Sequence, residues 1–441
     1  MDFSRPSPSV EYELQKLSNR LNPPRVTMDN AYCKTATLIE VDSVNTVGSL
    51  LKVVQVLNDL NLIITKAYIT SDGRWFMDIF YVTDECGNKV YDEEIPQLIQ
   101  EALKPILVHW FEPMRTVDVG SNAKYTTIEL LGRDRPGLLS EIFAILTDLK
   151  CNIVSAQAWT HNSRMASVVY INDESNLSPI DDPDRLSNIK KLLLSVLKGN
   201  QEWPSANTAI SVDSTHAQRR LHQILYADRD FDDQDADGRV KPSVTIEDCA
   251  ERGYSVLHVI CPDRPKLIFD TVCTITDMEY VIFHGSIYAQ GPEAEQEYFI
   301  RHTDGFPISS EGEKQRVIQC LEAAIKRRAS DGIRLELCID DRVGLLSDVT
   351  RIFRENGLSV TRAEVSTRDK QAVNIFYVTD ASGVPVKCET IEAIRNEIGL
   401  SVLRVKEEFK GSTEKTGRVS LASLFRSKSE KILSNLGIIK P

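Results

Sequence analysis

Residues 79–90 read IFYVTDECGNKV and residues 375–386 read IFYVTDASGVPV, sharing I-F-Y-V-T-D-x-x-G-x-x-V across nearly 300 positions. Self-similarity of this kind marks a repeated structural unit, and missing it misassigns the fold. Upstream of each copy an acidic residue ends an apolar-alternating run: Asp42 lies 42 residues before Asp84, and Asp341 lies 39 before Asp380. Two further copies keep this pitch. Asp134 precedes Asp173 by 39 residues after YTTIELLGR, and Asp263 precedes Asp304 by 41 after YSVLHVICP. The four loops that follow read DSVNTVG, DRPG, DRPK and DRVG.

The fourth copy shows what one unit is. Ile333, Leu335, Leu337 and Ile339 alternate with polar residues, the period of a strand with one buried face. After Gly344, the spacing of Leu345, Val349, Ile352 and Phe353 predicts a helix covering a sheet, and Gly357 ends it. SVTRAEVST and AVNIFYVTD then alternate on either side of Arg368-Asp369-Lys370, a hairpin; in the first copy this turn is Asp72-Gly73. A second helix over Cys388–Ile398 and the strand SVLRVKEEF complete the order βαββαβ. Two crossovers around a central hairpin give a ferredoxin-like unit of class α+β, a four-stranded antiparallel sheet with both helices on one face. Pairing such units side by side would cover their exposed edges.

The 441 residues accommodate four of these units. The boundaries read as an N-terminal extension (1–34), modules 1 (35–120) and 2 (125–213), a linker helix with an acidic loop (214–250), modules 3 (254–330) and 4 (332–410), and a basic tail (411–441). No apolar run approaches the roughly 20 residues that span a bilayer. The start, MDFSRPSPSVEYELQKL, lacks the basic-then-apolar order of a signal peptide. Nine scattered cysteines without a CxxC pair read as reduced thiols. The expected location is the cytoplasm, with the nucleus open. A formal charge of −12 argues against nucleic acid as a partner, since phosphate binding needs a basic footprint.

The βαββαβ unit with Asp134-Arg135-Pro136-Gly137-Leu138-Leu139 at its first turn resembles the ACT domain. Four such units over residues 30–410 are similar to the plant ACT-domain-repeat proteins, themselves like the C-terminal region of bacterial uridylyltransferase/uridylyl-removing enzymes. The resemblance implies a non-catalytic allosteric sensor whose paired modules bind free amino acids near the first turn and signal to a protein partner. A ligand-free interaction scaffold is the alternative.

The turn chemistry suits a zwitterion. Proline at a first helical turn loses no hydrogen bond, and Gly137 lets a carboxylate approach unpaired N–H groups at the positive end of the helix. Arg135 could fork onto that carboxylate and Asp134 could accept from the ammonium group. The architectural alternative makes Asp134 a helix cap and Arg135 a solvated charge. Asp341, Arg342 and Gly344 keep the set without proline. Asp263 and Arg264 form a weaker site, because Lys266 replaces the glycine and blocks close approach. Asp42 and Gly48 form another weaker one, with three extra loop residues and no arginine.

Other features point to no further chemistry. Asp233-Gln234-Asp235-Ala236-Asp237-Gly238 opens like a calcium loop, but position twelve is Val244 and Pro242 blocks the exiting helix. No metal ligand set, cofactor fingerprint or catalytic motif is found. HAQRRLHQILYADRD reads as an amphipathic linker helix through Leu221, Ile224 and Leu225. From Lys410 onward, seven basic residues face two acidic ones, and LASLFRSKSEKILSNL could lie on an anionic membrane or a partner. The serines at 420, 423, 427 and 429 offer phosphorylation sites for tuning such contact.

Overall fold

The computed structural model describes residues 23–104, 125–199, 205–211, 216–232, 242–249, 253–289, 291–328, 332–368, 370–382, 384–400 and 402–406. The acidic 233–240 stretch and the basic tail therefore lie outside the described residues. Two compact units divide the chain: residues 1–121 with 218–329, and residues 122–217 with 330–441.

Four modules are present. Module 1 runs β1 (Arg25–Asp29), β2 (Thr37–Val44), α1 (Ser49–Asp59), β3 (Ile63–Thr70), β4 (Trp75–Thr83) and α2 (Ile95–Leu103). Module 2 runs β5 (Thr126–Arg133), α3 (Leu138–Asp148), β6 (Cys151–His161), β7 (Arg164–Asp173), α4 (Pro183–Lys198) and β8 (Asn207–Ser211). The linker helix α5 (Ala217–Ala227) and a short 3-10 turn (Asp230–Asp232) follow. Module 3 comprises β9 (Ser243–Cys249), β10 (Tyr254–Pro262), α6 (Leu267–Asp277), β11 (Tyr280–Ala289), β12 (Glu293–His302) and α7 (Glu311–Arg328). Module 4 comprises β13 (Ile333–Asp340), α8 (Leu345–Glu355), β14 (Leu358–Arg368), β15 (Gln371–Asp380), α9 (Cys388–Ile398) and β16 (Leu403–Lys406).

The alternation read in β13 holds: Leu335 and Leu337 are buried, as are Leu345, Val349, Ile352 and Phe353 on α8. Modules 2 and 4 have the expected order, with β8 and β16 pairing back onto β5 and β13. Modules 1 and 3 depart from it. Their edge strands β1 and β9 precede the module and pair antiparallel with β2 and β10. Residues 25–29 were assigned above to the extension and 243–249 to the linker; both are sheet. An antiparallel edge can be filled from either end of the chain. In module 3, α7 ends at Arg328 and β13 starts at Ile333, which leaves no room for a trailing strand.

Sheets join across their hairpin edges. In the first unit β3 pairs antiparallel with β11, placing Lys66 opposite Tyr288 and Thr70 opposite His284. In the second, β6 pairs with β14, placing Trp159 opposite Arg362. Each unit thus carries one eight-stranded sheet, β1-β2-β4-β3-β11-β12-β10-β9 or β16-β13-β15-β14-β6-β7-β5-β8. Pairing satisfies the N–H and C=O groups that a lone module would expose. Apolar burial is continuous across the join: Val53, Leu57 and Phe80 belong to one core with Phe269, Ile287 and Leu321, and Phe143 and Ile171 to another with Phe353 and Phe376. Modules therefore pair 1 with 3 and 2 with 4.

The linker helix buries Leu221, Ile224 and Leu225 on the first unit, as its amphipathic pattern predicts. It also buries Gln218 and His222. Arg219 pairs with Asp277 at 2.7 Å. His222 meets Asp270 at 2.8 Å, and Arg327 on α7 pairs with Asp230 at 2.5 Å.

Candidate ligand clefts at the paired turns

Every module enters its first helix through the same backbone turn. Gly48, Gly137, Lys266 and Gly344 take left-handed φ values of 82°, 82°, 67° and 78°. The residue after each donates its N–H three residues back, as Leu138 does to the Arg135 carbonyl at 3.1 Å. That is the third position of a type II β-turn, which demands φ > 0 and welcomes proline just before it. Pro136 thus serves the turn, not the first helical position, and α3 begins at Leu138. No side chain caps these four helices, so Asp134 is not a cap.

The residue that opens each turn donates its N–H to the neighbouring hairpin: Asp134 to Ser163, Asp263 to Pro292, Asp341 to Lys370 and Asn45 to Arg74, at 2.8–3.0 Å. The first-module counterpart of Asp134 is therefore Asn45, not Asp42. Its turn is Asn45-Thr46-Val47-Gly48, with no extra residues. Asp42 lies on β2 and accepts from Trp75 Nε1. The spacing held this signal, since Asn45 precedes Asp84 by the same 39 residues found in copies two and four.

The arginines are already engaged. Arg135 forks onto Glu141 in the first turn of α3, with Nη1 to Oε1 at 2.8 Å, and also reaches the Val196 carbonyl. Arg342 pairs with Asp348 at 2.6 Å, and Arg264 with Asp270 at 2.8 Å. All three link the turn to an acid six residues on and orient the guanidinium along their own helix. The paired Arg135, with a smaller contribution from Arg354, holds Glu141 below the usual carboxylate range.

In the second unit the turn of module 2 faces α8 and β14 of module 4 across a cleft of about 400 Å³, counting its open mouth. Asp134, Gly137, Leu139, Ala158, Met165, Arg354 and Val360 line it. Asp134 is half-buried, and burial raises its carboxyl to about 6 despite the Arg135 N–H it accepts. Opposite stands Arg354, so close that a Cβ on Gly137 would lie 2.6 Å from its Cδ. Arg135 also lines this cleft but is held on Glu141, so the cation without a salt bridge among the described residues is Arg354. Sequence reasoning missed it because it belongs to another module, ten residues beyond Gly344.

The other copies differ. Asp341 accepts from Thr367 Oγ1 at 3.0 Å, and its Gly344 faces the methyl of Thr147. In the first unit Asp263, Arg264 and Lys266 line a cleft with Val54, Asn58 and Ile64 of module 1. Burial raises the Asp263 carboxyl above its usual range. Arg264 is held on Asp270 and the Ile325 carbonyl.

Family models match the chain in four stretches: the ACR family N-terminal ACT domain over residues 32–109, the ACT domain over 126–194 and 333–396, and the ACR9-like, ACT-like domain over 243–334. The last-named stretch begins at β9. The chain is 52% identical to ACT domain-containing protein ACR4 of Arabidopsis thaliana, an alignment covering 100% of this chain and 99% of that protein. It is 54% identical to ACT domain-containing protein ACR3 of the same plant, over 90% of each chain. With ACT domain-containing protein ACR9, also of that plant, identity is 23% over 74% of this chain and 85% of that protein.

Proposed function

This chain belongs to the plant ACT-domain-repeat family, and from that premise we propose that it is a non-catalytic regulatory protein that binds a free amino acid between modules 2 and 4. The observation that carries the reading is the pair of opposed charges across Gly137. Asp134 offers a desolvated carboxylate to an α-ammonium group, and Arg354 offers a guanidinium to an α-carboxylate. Leu139, Ala158, Met165 and Val360 supply an apolar wall for the side chain. Among the described residues neither charge is engaged in a salt bridge, so each gains a partner when a zwitterion enters.

Because the two charges come from different modules, the ligand favours the arrangement that brings them together. A partner protein reading that arrangement would receive the signal, provided the ligand binds one arrangement more tightly than another. The cytoplasm is the proposed place of action. Thermal unfolding against each of the twenty amino acids tests the reading. A ligand at about 100 times its dissociation constant stabilises by about 2.7 kcal/mol, and Arg354→Met should abolish the shift while leaving the free protein folded. No shift with any amino acid at millimolar concentration would sink it.

A second reading has one observation in its favour. The arginine of each D-R turn is spent on an acid of its own helix, which is architecture, and a ligand-free scaffold needs only that. The same titration separates the two.

A further inference from the structure

The acid six residues beyond the turn arginine has different surroundings in each module that carries the pair. The Arg135 and Glu141 side chains of module 2 are 35% and 36% exposed, and Arg342 and Asp348 of module 4 are 57% and 40% exposed. In module 3 Arg264 is 16% exposed and Asp270 is wholly buried. There Asp270 serves two further elements: it takes Arg328 Nη2 of α7 at 2.8 Å and meets His222 Nε2 of the linker helix α5 at 2.8 Å.

We infer that α5 is a clamp governed by the first turn of module 3, through a buried relay that runs Arg264, Asp270, His222, Arg327, Asp230 and ends in the 3-10 turn beyond the helix.

Three observations carry this. First, the relay is continuous. Arg264 Nη1 lies 2.8 Å from Asp270, whose Oδ1 meets His222 Nε2. On the other side of the ring Nδ1 faces Arg327 Nη1 at 3.2 Å, and Arg327 Nε donates to Asp230 at 2.6 Å. Asp270, His222, Arg327 and Asp230 are all buried, so solvent does little to screen one link from the next.

Second, the charges are poised. Among the described residues of this network the guanidiniums of Arg264, Arg327 and Arg328 face the carboxylates of Asp270 and Asp230, three cations against two anions. The excess cation keeps the imidazole neutral, and a neutral ring can accept from Arg327 where an imidazolium cannot. Once Arg264 leaves Asp270 the excess is gone. A proton from solvent then settles on Nδ1 of His222, the hydrogen bond from Arg327 to that nitrogen is lost, and the grip of α7 on α5 weakens.

Third, α5 depends on such contacts. A helix of eleven residues is marginal alone. Its polar anchors converge on this network, with Gln218 accepting from Arg328 Nη2 at 3.0 Å and the His222 carbonyl from Arg327 Nη1 at 3.3 Å. The relay shares no residue with the cleft between modules 2 and 4.

Hydrogen exchange of the full chain at pH 7, read by mass spectrometry on peptides covering α5 and module 3, tests the inference. Arg264→Gln is expected to speed exchange in α5 about tenfold, as for the loss of one hydrogen bond to a charged group, with α6 little changed. Arg264→Lys keeps the cation and should match the wild type. Arg342→Gln, the same change beside a solvated acid, should leave α5 as it was. His222→Gln keeps both ring contacts without taking up a proton, so adding it to Arg264→Gln should restore slow exchange. Unchanged α5 exchange in Arg264→Gln, an equal rise throughout module 3, or a rise that persists with His222→Gln would each overturn the inference and leave Asp270 a purely structural hub. Asp230→Asn keeps it testable should Arg264→Gln not fold. Arg327, deprived of that charge, turns to Asp270 and competes with Arg264. Coupling is reciprocal, so exchange at residues 263–267 should quicken about tenfold, and no change there would equally overturn the relay.

Discussion

Arg327 Nη1 lies 3.2 Å from Nδ1 of His222, and because a guanidinium only donates, that ring nitrogen accepts. The imidazole proton is then on Nε2, facing Asp270 at 2.8 Å. His222 is held neutral, and burial lowers its pKa in spite of Asp270, with Arg327 and Arg328 adding to the depression.

The unfolded chain, with a histidine near 6.5, takes up the proton first on acidification. Stability from His222 is thus fully present above about pH 6.5 and lost as pH falls below it, at up to about 1.4 kcal/mol per pH unit. His222→Gln can donate to Asp270 and accept from Arg327 without titrating. Its unfolding midpoint should fall less between pH 7 and 5 than that of the wild type. Parallel curves would refute the assignment.

Asp134 gives a pH dependence of opposite cause. With its carboxyl near 6, about nine-tenths of it is ionised at pH 7 and one-tenth at pH 5. Calorimetric affinity for an amino acid in the second unit should drop about tenfold between those values, and Asp134→Asn should remove both the affinity and its slope. In the free protein the raised carboxyl costs stability as pH climbs from about 4 through 6, so the asparagine variant should also melt higher at pH 7.

Gly137 and Gly48 share a φ of 82° but not their surroundings. Alanine at Gly48 meets nothing within 4 Å and should cost only the left-handed strain, roughly 1–2 kcal/mol. Alanine at Gly137 must also displace Arg354. Denaturant titration should find it the more destabilising of the two, and dialysis should find binding in the second unit lost.

Asp78 is 1% exposed in the core of module 1, and burial pushes its carboxyl to about 8. The unfolded chain ionises near 4, so stability is lost progressively as pH rises from there and is missing in full above 8. Asp78→Asn keeps an oxygen for the Thr70 N–H that Asp78 now accepts. It should raise the midpoint by several degrees at pH 8 and little at pH 4; an equal gain at both would contradict this.

Much of the fold was legible because it is local. The alternation of Leu335 and Leu337, the helical spacing from Leu345 to Phe353 and the hairpin glycine at 73 each need only a short window. The repeated aspartates are local too: Asp84, Asp173, Asp304 and Asp380 each accept backbone N–H groups of the loop that follows them. The edge strand RVTMD was not legible, since five residues before an irregular loop carry little period. The site was half legible. Asp134 and Gly137 announced the turn, but Arg354 and Asn58 enter only when the pairing is known, and that is set by edges more than 200 residues apart. Arg135, the residue whose chemistry looked most suggestive, is occupied by Glu141.

The alternation of partners, 1 with 3 and 2 with 4, governs how such a chain can be divided. A cut between modules 2 and 3 yields two halves, each holding one member of either core and a bare hairpin edge on both. Neither half contains a finished body, so the two should fold only when mixed. Removing one module strips its mate and not its neighbour. A fifth module would arrive with no mate at all, and chains built on this plan can lengthen only by pairs.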